Sequence, residues 1–445
     1  MPNQSVSLLE PRWIVPVVPA NTVLSEHSVV LSDETIVAVL PRETARTRYP
    51  DATVTTLAEH VLIPGLINAH GHSAMTLLRG YADDLPLMTW LTDHIWPVEA
   101  AHVDESFVRD GTNLAAAEML ETGTTCVADT YFFPEAAARA FSDAGIRAQV
   151  SLPVIQFPNA WARDESEHIT RGLAFRDAFR NVPLITTAFA PHSPYTVTDE
   201  GFRRIAVLAQ ELDIPIHLHL HETATEVDQS VESLGMRPFR RMLELGLAGP
   251  HLQTVHMTQL IDAEIDALVT NGIHVAHCPE SNMKLASGIC PTARLLEAGV
   301  NLALGTDGAA SNNNLDMFGA MRAAALLAKV SGSATDLPAG AVLEMATLGG
   351  ARMLGREQDL GSIEPGKRAD LTAVNLSGTT TQPVYDPVSA TVYACSGSDV
   401  THTWVDGALQ YADRTHVSIN REALMQTVRG WQQRIASSDR QEDSP

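Results

Sequence analysis

The middle of the chain alternates short apolar segments with amphipathic stretches, and this alternation restricts the possible folds more than any other feature. In the amphipathic stretches the apolar residues recur near the helical period, which predicts helices over Phe107–Glu121, Pro134–Ala144, Asp199–Glu211, Pro238–Leu245, Asp262–Thr270 and Thr292–Ala298. The apolar segments predict eight strands: Leu62–His72, Thr124–Thr130, Arg147–Val154, Leu184–His192, Ile214–Glu222, Leu252–Thr258, His274–Ser281 and Asn301–Gly308. Eight strands that alternate with helices predict an α/β fold of the (β/α)₈ TIM-like barrel type rather than an open doubly wound sheet.

Both ends of the chain are rich in β-forming residues. Val, Thr and Leu interrupted by turn residues fill residues 1–64, and a similar texture returns in residues 361–445. Because the first of these segments is too short to close a sandwich alone, we expect the two ends to pair in one smaller β-sandwich domain. The barrel then occupies residues 65–360, and the polar stretch beyond Arg434 is expected to be a frayed tail.

The charge balance excludes two classes of partner. The 445-residue chain has 53 acidic against 30 basic residues and a formal net charge of -23, so nucleic-acid phosphates and anionic membranes would be repelled. Its four cysteines are widely spaced and include no C-x-x-C pair, which predicts neither a disulfide framework nor a thiolate metal site. With no signal-peptide pattern and no apolar run long enough to cross a bilayer, we expect a cytoplasmic protein without nucleic-acid or membrane partners.

Metal-type ligands fall at the ends of four predicted strands. His70 and His72 close the first strand, His219 lies in the fifth, His256 in the sixth and Asp307 in the eighth. Since the carboxyl ends of barrel strands meet at one face, these side chains are expected to gather there. A nitrogen and oxygen set of this kind suits Zn²⁺, with Fe²⁺ or Mn²⁺ as alternatives, and leaves one position for water. A bound ion would lower the pKa of that water to about 7 and supply hydroxide for hydrolysis.

The fifth predicted strand leaves the choice of its ligand open. His217, His219 and His221 share a face by strand alternation, and only one or two of them can reach an ion at the barrel mouth. The others then fill the polar interior of the barrel. Glu222 lies just past the strand end, where a carboxyl with a pKa raised by burial can shuttle a proton. Asp307, in a G-T-D-G turn, is a candidate both for metal binding and for accepting the proton of the water.

Three further residues are candidates for substrate binding. His192 ends a predicted strand, where it either contacts substrate or caps a loop. Trp90 and Glu99 lie in the segment 85–99 after the first strand, which can fold over the pocket as a lid. An aromatic residue there either stacks on a flat ring or ties the segment to the core. No G-x-x-x-x-G-K-[ST] or strand-linked G-x-G-x-x-G loop is present, so nucleoside triphosphate and dinucleotide chemistry lack their usual signatures.

Taken together and in this order, the motifs resemble the amidohydrolase superfamily. More narrowly, they are similar to its branch of 5-methylthioadenosine/S-adenosylhomocysteine deaminases and their chlorohydrolase relatives. The resemblance covers nearly the whole chain and rests on PGLINAHGH (Pro64–His72), LPLMTWL and IWPVE (within residues 85–99), APHSPYT (Ala190–Thr196), HLHLHET (His217–Thr223), VHMTQL (Val255–Leu260), HCPESNMKLASGICP (His277–Pro291), GTDGAASNNNLDM (Gly305–Met317) and GSIEPGKRADL (Gly361–Leu371).

The resemblance implies roles for these residues. One zinc ion per chain would be held by four of them: His70, His72, His219 and Asp307. His256 would hydrogen-bond the metal-bound water rather than bind the metal, and Glu222 would be the proton shuttle. The substrate would be a small molecule contacted by Glu222, Glu99 and His192, with Glu99 directed toward ribose hydroxyls. Trp90 stays a candidate substrate contact on the ground of its place in the segment 85–99.

The reaction implied by the resemblance is attack of zinc hydroxide on C6 of an adenine ring. Asp307 would take the proton of the water, Glu222 would protonate N1 of the ring, and ammonia would leave to give the inosine analogue. The expected substrates are 5'-modified adenosines such as methylthioadenosine, with S-adenosylhomocysteine and adenosine as further members. Relatives that accept S-adenosylhomocysteine hold its carboxylate with arginines, for which Arg147 and Arg163 are the candidates here, although Arg147 also suits a structural clamp.

Two other readings of the same residues stay open. The metal centre suits deamination or dechlorination of another heteroaromatic ring, such as guanine, a pterin or a triazine. A protein of a different class, a non-catalytic barrel used for binding or assembly, would have the same fold. Relatives in the superfamily are often homo-oligomers, so a homo-oligomer is also expected here.

Overall fold

The computed structural model describes residues 6–442, and two sheets organise them. The strands are, in chain order, β1 (Val6–Ile14), β2 (Leu24–Ser25), β3 (His27–Ser32), β4 (Thr35–Pro41), β5 (Thr53–Pro64), β6 (Leu66–Gly71), β7 (Thr124–Asp129), β8 (Arg147–Val154), β9 (Ile185–Pro191), β10 (Ile216–Leu220), β11 (Leu252–His256), β12 (His274–His277), β13 (Leu302–Leu304), β14 (Leu371–Asn375), β15 (Val400–Val405), β16 (Ala408–Ala412) and β17 (Thr415–His416).

Helices surround the sheets. They are α1 (Arg42–Arg48), α2 (Leu87–Thr89), α3 (Trp96–His102), α4 (Glu105–Glu121), α5 (Pro134–Ala144), α6 (Glu165–Phe179), α7 (Asp199–Leu212), α8 (Ala224–Leu234), α9 (Pro238–Glu244), α10 (Asp262–Asn271), α11 (Pro279–Lys284), α12 (Thr292–Ala298), α13 (Ala309–Asn312), α14 (Met317–Ser331), α15 (Ala339–Glu344), α16 (Gly350–Met353), α17 (Pro387–Tyr393) and α18 (Arg421–Glu442). Within residues 6–442, none of the helices combines the length and the hydrophobicity needed to span a bilayer.

Strands β6 to β13 form the predicted barrel. In the described part of the chain they make one eight-stranded parallel sheet in which neighbours follow chain order. The circle closes where the backbone N–H of Asp307 donates to the carbonyl of His70 over 3.0 Å. Each strand lies within the bounds that its apolar segment predicts, and nearly every residue in these strands is buried, as expected for a parallel sheet covered by helices. The (β/α)₈ prediction is confirmed.

The two chain ends share the second sheet. In the described residues, β14 pairs antiparallel with β5, placing Leu371 opposite Pro64, and nine strands from both ends form one mixed sheet. Gly65 alone separates β5 from the first barrel strand. A Cβ on Gly65 would lie 2.1 Å from Oγ1 of Thr125, so only glycine fits this junction. The predicted pairing of the chain ends is therefore confirmed, and the second sheet leads directly into the strand that carries His70.

Arg147 joins the barrel to the second sheet. Its guanidinium is buried and donates to both carboxylate oxygens of Asp370, at 3.0 and 3.2 Å, and to Asp406. As the first residue of β8, Arg147 lies at the amino end of the barrel, away from the carboxyl ends of the strands. The structure thus gives Arg147 the role of a structural clamp, and its candidacy for binding a substrate carboxylate is wrong.

The expectation of a frayed tail beyond Arg434 is also wrong as far as Glu442. Helix α18 runs from Arg421 to Glu442, and residues 443–445 lie outside the described residues. Trp431 and Ile435, four residues apart on one face of this helix, are buried. The Trp431 ring packs edge-on against Phe107, and its indole N–H donates to Asp110 over 2.9 Å. These two buried side chains anchor the helix to the rest of the protein. The average composition of the segment is polar and therefore does not reveal them.

Candidate metal centre and active site

A cavity of about 750 Å³ opens at the carboxyl ends of the barrel strands. This volume lies in the range of small-molecule sites. Eight residues that the sequence assigns to metal binding, catalysis or substrate contact line the cavity: His72, Trp90, Glu99, His192, His219, Glu222, His256 and Asp307. The other candidates, His70, His217, His221, Arg147 and Arg163, are not part of its lining. His70 is fully buried among the ligand candidates. Barrel topology thus brings together residues that are up to 237 positions apart in the sequence.

Four ligand atoms meet at the centre of this group. Nε2 of His70 lies 3.1 Å from Nε2 of His219 and 3.3 Å from Oδ1 of Asp307. Nε2 of His72 lies 3.3 Å from the same carboxylate oxygen. In a tetrahedral site with ligand bonds of about 2.0–2.1 Å, adjacent ligand atoms are about 3.3 Å apart. These three distances therefore match those between ligand atoms of a single divalent ion.

The other ring nitrogen of each histidine fixes which nitrogen faces the site. Nδ1 of His72 donates to the carbonyl of Thr130 over 2.6 Å, and Nδ1 of His219 donates to the carbonyl of His192 over 2.7 Å. A carbonyl can only accept, so Nδ1 carries the proton in both rings. Nε2 of each neutral ring is then an unprotonated lone pair, as a metal ligand must be.

A longer chain of hydrogen bonds fixes which ring nitrogen of His70 carries the proton. Nε2 of Gln253 donates to the carbonyl of Met353 over 2.6 Å, which fixes the orientation of the amide. The amide oxygen of Gln253 therefore accepts from Nδ1 of His217 over 3.0 Å, and Nε2 of His217 accepts from Nδ1 of His70 over 2.8 Å. The proton of His70 is thus on the nitrogen that points away from the site.

These hydrogen bonds leave unprotonated nitrogens facing each other. Burial lowers the pKa values of His70 and His219 well below the usual range and that of His217 to about 4, so the rings are neutral. Two unprotonated nitrogens 3.1 Å apart repel each other unless a cation lies between them. The donor set and its protonation both match a divalent metal ion.

The hydrogen bonds of Asp307 favour a charged carboxylate. Its Oδ1 accepts from the backbone N–H of Gly308 and its Oδ2 from the hydroxyl of Ser281, each over 2.7 Å. Its backbone lies in the left-handed region with φ of 65°, which is uncommon for a residue with a side chain. Hydrogen bonds to the carboxylate favour its ionised form.

His256 has a different arrangement from the three candidate ligands His70, His72 and His219. The amide N–H of Asn282 donates to its Nδ1 over 2.9 Å, so the ring proton is on Nε2. Burial lowers the pKa of His256 and keeps the ring neutral. Nε2 therefore faces the cavity as a hydrogen-bond donor, which suits contact with a water or a substrate atom rather than with a metal.

Glu222 lies beside this donor. Its Oε2 is 3.9 Å from Nε2 of His256, and its Oε1 accepts from the hydroxyl of Ser287 over 3.3 Å. Burial, with a smaller effect of the Asp307 charge, raises the pKa of Glu222 to about 8. The carboxyl group therefore carries a proton at neutral pH and can donate it.

The backbone around Glu222 is fixed by Glu226. The two carboxylate oxygens of Glu226 accept the backbone N–H groups of His221 and Glu222, at 3.0 and 2.8 Å. The hydroxyl of Thr258 donates to the carbonyl of Glu222 over 2.7 Å. His221 itself turns out of the strand with φ of 54°, and its Nε2 accepts from the backbone N–H of Phe239. Of the three histidines in the fifth strand, His219 reaches the centre and His217 supports it.

The segment predicted as a lid forms one side of the cavity. It is helical from Leu87 to His102, with α2 and α3 joined by a π-helical turn at Trp90–Ile95. Trp90 is buried and lines the cavity. The carboxyl group of Glu99 accepts from the hydroxyl of Tyr131 over 2.6 Å, and burial raises its pKa to about 7.

The residues that support the candidate ligands and catalytic groups were not predicted from the sequence. His217 is named there only as an alternative ligand, and Gln253, Ser281 and Asn282 have no distinguishing pattern, because their roles depend on contacts across the barrel. Glu226 does have a signal. Thr223 and Glu226 form the T-x-x-E pattern of a capping box at the start of α8, and the Thr223 hydroxyl accepts from the backbone N–H of Glu226 over 3.2 Å.

The chain is similar to a protein family and to several known proteins. The family model described as "Amidohydrolase family" matches residues 61–409. A 5-methylthioadenosine/S-adenosylhomocysteine deaminase from Teredinibacter turnerae is 47% identical over 430 residues, which are 96% of this chain and 97% of that protein. A 5'-deoxyadenosine deaminase from Methanothermobacter thermautotrophicus is 45% identical over 362 residues, 79% of this chain and 82% of that protein. The crystal structure of an adenosine deaminase from Xanthomonas campestris with bound zinc superposes with a TM-score of 0.95 at 49% identity, covering 98% of this chain and 100% of that one.

Proposed function

The chain belongs to the amidohydrolase family, and from this premise we propose that it catalyses the hydrolytic deamination of 5'-modified adenosines to the inosine analogues and ammonia. The observation that carries the proposal is the position of the Glu222 carboxyl, whose pKa burial raises to about 8, beside the candidate ligand atoms that cluster around His70. The names of relatives at 45–47% identity support the nucleoside class of substrate.

We propose that the metal is zinc, held by His70, His72, His219 and Asp307. The ligand spacing and the neutral Nε2 atoms support this choice, as does the zinc in the similar structure from Xanthomonas campestris. When bound, zinc supplies a nucleophile at neutral pH by lowering the pKa of water to about 7.

The chain's own groups move the protons. Asp307 accepts a proton from the attacking water, whose oxygen forms a bond to C6 of the adenine ring. Glu222, which holds a proton at neutral pH, donates it to N1 and so draws electron density away from C6. His256 donates a hydrogen bond from Nε2 to the water and orients it.

The second half of the reaction returns these groups to their starting states. Asp307 passes its proton to the exocyclic amine, and the bond between C6 and that nitrogen breaks as ammonia leaves. Glu222 recovers a proton from the hydroxyl on C6, which becomes the carbonyl of the inosine analogue. One water is consumed and one ammonia released, so no other reactant is required.

The remaining lining residues position the substrate in this proposal. Glu99, held by Tyr131, accepts from the ribose hydroxyls. Trp90 presents an aromatic ring on the same side of the cavity, and His192 lies beside His219 with ring centroids 5.0 Å apart. These contacts fix the orientation of the nucleoside relative to Glu222.

The test is an ammonia-release screen on the purified protein with metal analysis of the same sample. We expect turnover of methylthioadenosine and 5'-deoxyadenosine, with about one zinc per chain. Turnover of guanine or a chlorotriazine without turnover of any adenosine would contradict the nucleoside assignment. A zinc-loaded protein with no hydrolase activity on any of these rings would favour the non-catalytic alternative.

A further inference from the structure

We infer that this active site selects adenosines whose 5'-substituent carries no carboxylate and rejects the zwitterionic homocysteine group of S-adenosylhomocysteine. The inference rests on the proposed function and narrows its substrate class. The name of the relative from Teredinibacter turnerae includes two substrates, 5-methylthioadenosine and S-adenosylhomocysteine. We infer that this chain uses only the first of them.

As far as the structure describes the chain, the lining of the cavity lacks groups that could form an ion pair with a substrate carboxylate. Among the described residues, its lining includes the carboxyl groups of Glu99, Glu222 and Asp307 but neither a lysine nor an arginine. A substrate carboxylate inside the cavity would therefore find no basic side chain to pair with.

The outer part of the cavity is apolar. Phe157, Tyr195 and Trp96 are 55%, 40% and 40% exposed and also line the cavity, which places them at its mouth. Ile155, which is half-buried, and Pro158, which is exposed, lie in the same loop as Phe157 and also line the cavity. A methylthio or alkylthio group can bury its surface here, whereas a carboxylate would lose its hydration without gaining a cationic partner.

Cations that neighbour the lining in the sequence are already engaged. Arg163, three residues beyond Ala160, is 84% exposed at its side chain and pairs with Glu167 over 2.7 Å. Lys284 donates to Asp83, to the carbonyl of Ala310 and to Asn313, at 2.6, 3.2 and 2.5 Å, so its three N–H donors are all used. Neither is free to receive a substrate carboxylate.

Four substrates distinguish the effect of the charge of the 5'-substituent from the effect of its size. They are methylthioadenosine, 5'-butylthioadenosine, S-adenosylhomocysteine and its decarboxylated analogue, 5'-(3-aminopropylthio)adenosine. The butylthio compound has the reach of homocysteine without its charges, and the aminopropylthio compound retains only the ammonium group. The readout is kcat/KM for ammonia release by the metal-loaded wild-type protein.

We expect the butylthio and aminopropylthio compounds to react within about tenfold of methylthioadenosine, and S-adenosylhomocysteine to be at least about 100-fold poorer. An S-adenosylhomocysteine value within tenfold of methylthioadenosine would overturn the inference while leaving the proposed function intact. Poor turnover of the butylthio compound would overturn it as well, because size rather than charge would then set the limit. No turnover of any of the four would contradict the proposed function itself.

Arg163→Gln provides a matched control variant. It removes the exposed cation nearest in sequence to the loop that contains Phe157 and Pro158, and it leaves the lining of the cavity unchanged. We expect the ratio of kcat/KM for methylthioadenosine and S-adenosylhomocysteine to be the same as in the wild type. A selective loss with S-adenosylhomocysteine would show that Arg163 binds the carboxylate and would overturn the inference.

Discussion

Nδ1 of His70 donates to Nε2 of His217 over 2.8 Å, so a residue outside the ligand set decides which nitrogen of His70 faces the metal centre. His217 is itself oriented by Gln253, whose amide is fixed by a backbone carbonyl. The chain of three side chains runs through the barrel interior, where the fifth and sixth strands lie side by side. Partners of this kind orient metal-bound histidines and raise their basicity.

We expect His217→Phe to weaken zinc binding by about 10- to 100-fold, because His70 loses the acceptor that fixes its tautomer. Chelator competition measures the zinc Kd. His274→Phe is the matched control, since His274 begins β12 at the opposite end of the barrel and contacts Asn301 instead of a ligand. Equal zinc affinity in His217→Phe and the wild type would contradict the role of His217.

Replacing Glu222 by Gln removes a proton donor while nearly preserving shape. We expect Glu222→Gln to bind zinc normally and to lose about 10²- to 10⁴-fold in kcat. Steady-state kinetics with methylthioadenosine, together with zinc content and circular dichroism, check this. A kcat close to that of the wild type would refute the proposed proton transfer from this residue.

The pH dependence of activity follows from the same carboxyl group. The reaction needs Glu222 protonated, and burial raises its pKa to about 8. The free enzyme therefore loses its proton donor as the pH rises through that value, and kcat/KM should fall on the alkaline side. The residual activity of Glu222→Gln should lack this alkaline fall. A wild-type kcat/KM that rises through pH 8 would be inconsistent with an acid role for Glu222.

Glu226 is predicted to be a positioning residue for Glu222. In Glu226→Gln one of the two backbone N–H groups loses its acceptor, because an amide has a single oxygen. We expect kcat to fall by about tenfold with little change in KM or zinc content. Asp228→Asn, an exposed change on the same helix, controls for the loss of one charge. Equal kcat values in the two variants would argue against positioning by Glu226.

Much of the fold could be predicted from the sequence because parallel strands buried on both faces appear as continuous apolar runs. The strand bounds extend too far at the carboxyl ends, where site residues leave the sheet. His221 and His256 have φ values of 54° and 75°. Secondary-structure propensities do not predict such left-handed conformations in residues other than glycine. Alternation along the fifth strand therefore groups His221 with His217 and His219, whereas the backbone turns it elsewhere.

The candidate site could be assembled from the sequence because barrel topology brings the strand ends to one face. Its supporting contacts could not. Asn282 fixes the tautomer of His256, and Ser281 holds Asp307, through hydrogen bonds that span 26 positions in each case. Such partners depend on the path of the loop after β12, which no local pattern specifies.

The most direct test of the account is anomalous diffraction at the zinc edge from crystals of the zinc-loaded protein. The account predicts one peak per chain at about 2.0–2.2 Å from Nε2 of His70, His72 and His219 and from a carboxylate oxygen of Asp307. Absence of a peak among these atoms, or a peak bonded to His256 in place of one of them, would contradict it.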